Sequence, residues 1–285
     1  MKQLKPLEKV YQKEQGSSFV KLIADSLQDI YRSRFLSRQL AERDIKAQYR
    51  QSILGIFWAF VTPLATAFVW IFLRSSGTVD VTDTGIPYPL FAFTGTLLWS
   101  ILLESVNSPL NATNASKGIL SKINFPKEAL IVSGIYKSLF NSLFKLILLV
   151  VFIFYFGVGF HPSLLLFPLG VLVMVFVGNT IGLLITPIGM LYKDIARAIK
   201  FGFQFLMYVT PVVFAIPEKE GLMKSFMEWN PFTPLILTAR SLAVGTSPEY
   251  LAYFWVVLAC CVPLFLLGLV FYRISIPIFV ERLSA

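Results

Sequence analysis

The chain has 285 residues, 56% of them hydrophobic and 15% aromatic, with only 14% charged and a net charge of +9. Its mean hydropathy is +0.70. A soluble domain carries about a quarter of its residues as charges, so this composition excludes an ordinary soluble enzyme and requires an integral membrane protein.

The first 52 residues are hydrophilic and hold eleven of the 25 Lys and Arg. No charged segment leads straight into an apolar core there, so a cleavable signal peptide is not expected. Residues 18–34 have helical periodicity: Phe19, Val20, Ile23, Leu27, Ile30 and Tyr31 fall within an arc of about 120°, opposite Lys21, Asp25, Gln28, Asp29 and Arg32. Leu22 is the exception. This predicts an amphipathic helix that either lies on the membrane surface or docks to a partner. Residues 38–50 follow, dense in both signs of charge.

Six apolar runs come next, at residues 53–73, 90–106, 138–160, 164–191, 201–216 and 254–272. At about 1.5 Å rise per residue, roughly 20 residues cross a 30 Å hydrocarbon core; the fifth run is short. The predicted organisation is a cytoplasmic and interfacial segment at 1–52, a six-helix transmembrane domain at 53–273 and a cytoplasmic tail at 274–285. Pro63, Pro168, Pro187, Pro211 and Pro263 are placed to kink or break helices, and Gly178, Gly182 and Gly189 with Asn179 to let helices approach closely.

Nineteen of the 25 Lys and Arg fall on one side of this topology and four on the other, with Lys137 at the edge of the third span and Lys145 inside it. The asymmetry places both termini in the cytoplasm and accounts for the positive charge through topology and attraction to anionic lipid, without nucleic acid. Between the fifth and sixth spans, residues 217–248 are too polar to cross and too long for a turn; short or re-entrant external helices are expected there.

The chain has no G-x-x-x-x-G-K-[ST] loop, no G-x-G-x-x-G turn and no H-E-x-x-H helix, so no nucleotide or zinc site of those kinds is encoded. The single histidine, His161, precedes Pro162 and is read as a turn residue; Cys260 and Cys261 are adjacent in the last span and are read as packing residues. Intramembrane ionisable groups are restricted to Glu104, Lys137 and Lys145. Snorkelling to the interface accounts for the two lysines, and Glu104 pairs with one of them or faces a cavity. The sequons at Asn111 and Asn114 lie on the inferred cytoplasmic side and carry no glycosylation argument.

The segment 118–128 is a basic loop broken by Pro126 between two apolar runs, and its polar groups cannot sit in hydrocarbon. It must surface, which makes it a place for a soluble partner to grip. The 27 Phe, 11 Tyr and 5 Trp also allow a ring-lined path, because aromatic faces stack on the apolar faces of sugars.

Taken in order, Arg43-Asp44-Ile45-Lys46, the stretch from Tyr49 to Trp58 (YRQSILGIFW) with Pro63, Tyr88-Pro89-Leu90-Phe91 through Gly95 and Trp99, Leu120 to Glu128, Tyr192-Lys193-Asp194-Ile195 and Asn230-Pro231 resemble the permease subunit of type-2 ABC exporters, and more narrowly the polysaccharide export permeases. The ordered set carries the resemblance and covers nearly the whole chain. It departs at Lys127 and Lys193, where the family pattern has Arg; Lys keeps the charge but not the two-pronged donor.

The resemblance implies a non-enzymatic homodimer in the bacterial inner membrane, with two copies of a separate ATP-binding subunit that hold ATP and Mg, so that the chain itself needs no cofactor or metal. The cargo implied is a lipid-linked glycan: O-antigen, capsule or teichoic acid. A coupling element pressed on the ATPase would comprise Lys117, Ser121, Lys122, Asn124, Phe125, Pro126, Lys127 and Glu128, with a second contact at Tyr192, Lys193, Asp194 and Arg197. Arg43, Asp44, Lys46, Tyr49 and Arg50 would form the interfacial segment. Candidates for the glycan path are Phe57, Trp58, Phe60, Phe203, Phe205 and Tyr208. The same architecture also serves exporters of drugs or lipids. A secondary transporter would need midplane carboxylates and inverted repeats, and a membrane-embedded glycan transferase a cluster of Asp, Glu or His at one face; neither pattern is present.

Overall fold

The computed structural model describes residues 18–50, 57–77, 84–120 and 122–284, whose regular elements are all helices, with no strand among them. In chain order the helices are α1 (Phe19–Arg32), α2 (Arg34–Arg50), α3 (Phe57–Ser75), α4 (Tyr88–Ala115), α5 (Lys117–Leu120), α6 (Glu128–Tyr155), α7 (Phe167–Leu191), α8 (Lys193–Leu206), α9 (Leu222–Trp229), α10 (Phe232–Val244) and α11 (Leu251–Ser284). A single 3-10 turn at Pro162–Leu165 precedes α7.

Among the described residues, four helices are long and apolar enough to cross a bilayer: α4, α6, α7 and α11. They coincide with the second, third, fourth and sixth expected runs, although α6 begins ten residues earlier than read and ends at Tyr155. α4 lies at the centre, packed on α7, α6 and α3, with Leu90, Phe93, Leu97, Leu98, Ile101 and Leu102 fully buried. Small residues set its approach to α7: a side chain at Gly182 would meet the backbone carbonyl of Val106 and the ring of Pro109. The sequence reading of the α7 glycines as helix-contact positions is met here.

The first expected run is represented by α3, whose preceding residues 53–56 lie outside the described residues. The fifth run differs from expectation. Instead of a helix over 201–216, α8 starts at Lys193, stops at Leu206 and passes into a series of turns. Pro211 disfavours helical geometry at the residue before it, and the carbonyls released by the break find donors elsewhere. Asn230 donates from Nδ2 to the Val209 carbonyl at 3.1 Å, and Arg240 donates to the carbonyls of Pro211 and Val212 at 3.0 and 2.6 Å. The expected short helices before the last span are α9 and α10, and they supply these donors.

The bundle has two distinct ends. At one, α10 covers the start of α7, where Gly170 meets Ala239, and Tyr253 at the start of α11 donates to the Trp229 carbonyl. At the other lie the end of α4, the start of α6 and the last turns of α11, where Tyr272 bonds Thr113 at 2.9 Å. α1 docks at this second end on α6 and α11. It turns Ser26, Asp29 and Ser33 inward and leaves Phe19, Val20, Leu27 and Tyr31 exposed, so most of its apolar stripe faces away from the bundle while Ile30 packs on the core around Tyr272 and Ile276.

Candidate functional site

The basic loop is a preformed finger. α4 ends at Ala115, α5 makes one turn, Lys122 and Ile123 turn back on Ile119, and a non-helical stretch leads to Glu128, the first residue of α6. Leu120 is buried and packs with Ile119 and Phe125 against Leu36 and Leu40 of α2 and against Ala129 and Leu130 of α6. The finger is therefore pinned to α2 by its own apolar side chains. Arg43 of α2 adds a polar tie, donating from Nη2 to Ser116 Oγ at 3.1 Å.

Lys122, Ile123 and Asn124 are exposed at the tip, and Lys117, Phe125, Pro126 and Lys127 are half-buried. The Lys127 ammonium sits 4.8 Å from the centre of the Phe125 ring; burial pushes its pKa below the usual lysine value, and the charge of Glu128 opposes this. Ser121 lies outside the described residues. Ile123, 59% exposed, was missed by a sequence reading that followed charge; the available signal was a lone β-branched residue in a polar loop.

Glu128 departs from the expected surface position. It is 2% exposed and accepts from Arg273 at 2.6 Å and from Ser26 Oγ at 3.1 Å. Arg273 also donates to Asp29 at 2.8 Å. A carboxylate at the first turn of α6 is favoured by the helix dipole, and here it joins three helices, α1, α6 and α11, that are distant in sequence.

The second expected contact lies where α7 ends and α8 begins. Tyr192, Asp194 and Arg197 are exposed, with Arg197 3.4 Å from Asp194; Lys193 opens α8. Gly189 packs on Leu110, which puts this corner at the same end of the bundle as the finger.

Within the interfacial segment, Arg43 pairs with Asp44 at 2.7 Å, and Lys46 and Arg50 are exposed. Tyr49 reaches the spanning helices: its hydroxyl donates to Asn141 Oδ1 at 2.9 Å. Asn141 in turn donates to Glu104, whose other oxygen accepts from Lys145 Nζ at 2.8 Å. Burial and this partner raise the Tyr49 pKa, burial being the larger cause and the Glu104 charge the second. The expectation that Lys145 snorkels is corrected, because it is 7% exposed and ion-paired inside the bundle. The expectation that Glu104 pairs with a lysine is met.

The six aromatic candidates separate into two groups. Phe57, Trp58, Phe205 and Tyr208 are exposed, and Phe60 is half-buried with its ring edge-on to Phe144. Phe203 is corrected: it is 6% exposed and lies 6.1 Å from Trp99 and 5.6 Å from Phe232 by ring centres, inside the core. Phe201, which the sequence reading did not select, is exposed and packs against Phe205 at 4.7 Å.

His161 has the turn role read from sequence, its ring nitrogen 2.8 Å from the Val158 carbonyl. Among the described residues no three His, Cys, Asp or Glu side chains converge to hold a metal.

Residues 36–244, from α2 through α10, match the family model of the ABC-2 type transporter. The chain is 26% identical over 221 residues to an O-antigen export system permease protein RfbA of Klebsiella pneumoniae, covering 74% of this chain and 81% of that one. It is 25% identical over 219 residues to the O-antigen export system permease protein RfbA of Myxococcus xanthus, covering 76% and 83%. The matched region contains the finger, the intramembrane ion pair and the α7–α8 corner, and among the described residues four helices, the buried α4 with α6, α7 and α11, are of spanning length, as in a multi-pass membrane protein: the chain belongs to the ABC-2 type transporter family.

Proposed function

We propose that the chain is the transmembrane permease subunit of an ATP-driven exporter that moves a lipid-linked polysaccharide, an O-antigen, across the bacterial inner membrane. The observation that carries this reading is the finger at residues 116–127: basic, exposed at its tip and fixed to α2, on a chain whose sequence contains no nucleotide-binding loop. A lever of this kind needs a motor, and its exposed Lys122 with the half-buried Lys117 and Lys127 suits an acidic partner surface. The curated relatives are named for O-antigen export, which supplies the cargo.

In this reading two copies of the chain assemble with two ATP-binding subunits, which hold ATP and Mg, and the chain itself uses no cofactor. The finger and the corner at Tyr192–Arg197 face the cytoplasm with both termini, α3 and the fifth run complete a six-segment topology, and α9 and α10 lie outside. Closure of the ATP-binding subunits moves the finger, and the permease dimer responds by opening a path between its copies. The exposed rings of Phe57, Trp58, Phe201, Phe205 and Tyr208 suit that path, since they offer flat apolar faces to sugars.

The test is charge reversal at Lys122, Lys127 and Lys193 in the chain co-expressed with its ATP-binding subunit. Membrane insertion is retained, while substrate-coupled ATP hydrolysis falls and lipid-linked glycan accumulates at the cytoplasmic face. Normal export in all three variants would remove the finger from the mechanism. Normal surface glycan after deletion of the gene would remove the polysaccharide.

A further inference from the structure

Glu104 is ion-paired with Lys145 at 2.8 Å. Lys137, Asn141 and Lys145 stand at intervals of four residues on α6, so they form one row along a single helix face. Glu104 of α4 faces this row. One of its oxygens accepts from Asn141 in the middle of the row and the other from Lys145 at the far end. At the near end a cavity of about 60 Å³ is lined by Asp44, Glu104, Ser108, Asn111, Lys137 and Ser138 together with the apolar Ala112, Ala115 and Gly134. Asp44 is already paired with Arg43. Lys137 has no ion-pair partner among the described residues, and it shares this cavity with Glu104.

We propose that Glu104 is a two-position switch, exchanging Lys145 for Lys137 as α4 and α6 shift along each other during transport. A carboxylate inside the bundle is costly without a cation. Arrangements in which Glu104 meets neither lysine are therefore disfavoured, which makes the element bistable rather than continuously deformable. The small and polar residues along the seam permit the shift: Ser105 meets Ser138 hydroxyl to hydroxyl at 3.0 Å, and Gly134 lies against Ser108.

α2 connects this switch to the finger. Arg43 holds Ser116 at the finger's base, and Tyr49 holds Asn141 beside Glu104. The two residues are six apart, about 9 Å along one helix. A push on the finger therefore reaches α2 at Arg43 and the switch at Tyr49. The sequence reading, in which both lysines snorkel and Glu104 pairs with one of them or faces a cavity, gives way to one in which they are alternative partners of one carboxylate. This inference rests on the transport reading above, and adds to it the element that responds to the motor.

The test uses the full chain co-expressed with its ATP-binding subunit, as Lys137→Met, Lys137→Arg and the wild type. Three quantities are followed: recovery of the complex by size-exclusion chromatography, ATP hydrolysis without glycan, and export with its stimulated hydrolysis. Lys137→Met is expected to leave the first two unchanged and to lower the third about tenfold, within the range of ordinary allosteric couplings. Lys137→Arg, which retains the charge, is expected to restore it. Export at the wild-type level in Lys137→Met overturns the switch, and so does equal loss in Lys137→Met and Lys137→Arg, which would mark a role of shape. Failure of the wild-type complex to export glycan would instead defeat the transport reading, and the switch would fall with it.

Discussion

Arg240 and Val212 are joined by a 2.6 Å hydrogen bond from the guanidinium Nη2 to the backbone carbonyl, in a part of the bundle where Arg240 is 4% exposed. The guanidinium also donates to the Pro211 carbonyl and lies 3.7 Å from the centre of the Phe91 ring. No carboxylate pairs with it among the described residues, so carbonyl dipoles and an aromatic face hold a buried cation. Replacing Arg240 by Met removes both donors and leaves two buried carbonyls unsatisfied, at about 1–3 kcal/mol each. The Arg240→Met variant is expected to unfold at a clearly lower temperature in detergent. Arg240→Lys should fall between it and the wild type, because an ammonium keeps the charge without the fork that reaches two carbonyls.

The same contact sets a demand on α4. Gly95 lies where the Val212 carbonyl and Arg240 come closest to the helix, and an added methyl group would meet both. Because the nearest atom is backbone, relief requires the turn at 210–213 to move. Gly95→Ala should cost about 1–3 kcal/mol as overpacking. Gly202→Ala, on α8 with open space around it, should leave the unfolding temperature unchanged or raise it slightly through helix propensity. Equal temperatures for the two variants would show that the turn is free to shift.

Much of this architecture was legible in the sequence because it is local. Four apolar runs became spanning helices, the helix from residue 19 was visible in its periodicity, and the finger was marked by Pro126 among lysines. The break after Leu206 was half legible: Pro211 signalled it, but the donors that satisfy it come from Asn230 and Arg240, after an intervening helix. The burial of Glu128 was not legible, since its partners Ser26 and Arg273 are 102 and 145 residues away. Sequence proximity to Lys127 suggested a shared surface, whereas the start of α6 turns one residue outward and the next inward. Phe203 and Phe205 show the same limit, as two residues separate the buried and exposed faces of one helix.

The three-helix node around Arg273 gives a third prediction. Arg273→Met leaves Glu128 and Asp29 as buried carboxylates without a cation, and breaking such a pair from one side costs about 3–5 kcal/mol. Since Arg273 is itself only half-buried, the lower end of that range is expected. α1 depends on this node for its polar contact with the bundle. Hydrogen exchange across Phe19–Arg32 should therefore rise in Arg273→Met, with exchange in α4 unaffected. Unchanged protection of α1 would mean that its neighbours on α6 and α11 hold it without the ion pairs.

A paired substitution on α8 separates packing from passage. Phe203 touches Trp99 and Phe232 in the core, and its truncation to Ala should cost about 3–5 kcal/mol, read as a lower unfolding temperature and reduced recovery of the protein. Phe205 is exposed and its ring contact is with Phe201, so Phe205→Ala should leave stability within about 0.5 kcal/mol of the wild type, as surface changes usually do. If the exposed rings line a glycan path, Phe205→Ala should still lower export, by about five- to tenfold for the loss of one stacking face of 1–1.5 kcal/mol. Phe205→Tyr, which keeps the ring, should restore it. Full export by Phe205→Ala at normal protein levels would take Phe205 off the path and leave the face formed by Phe57 and Trp58 on α3 as the surface to test.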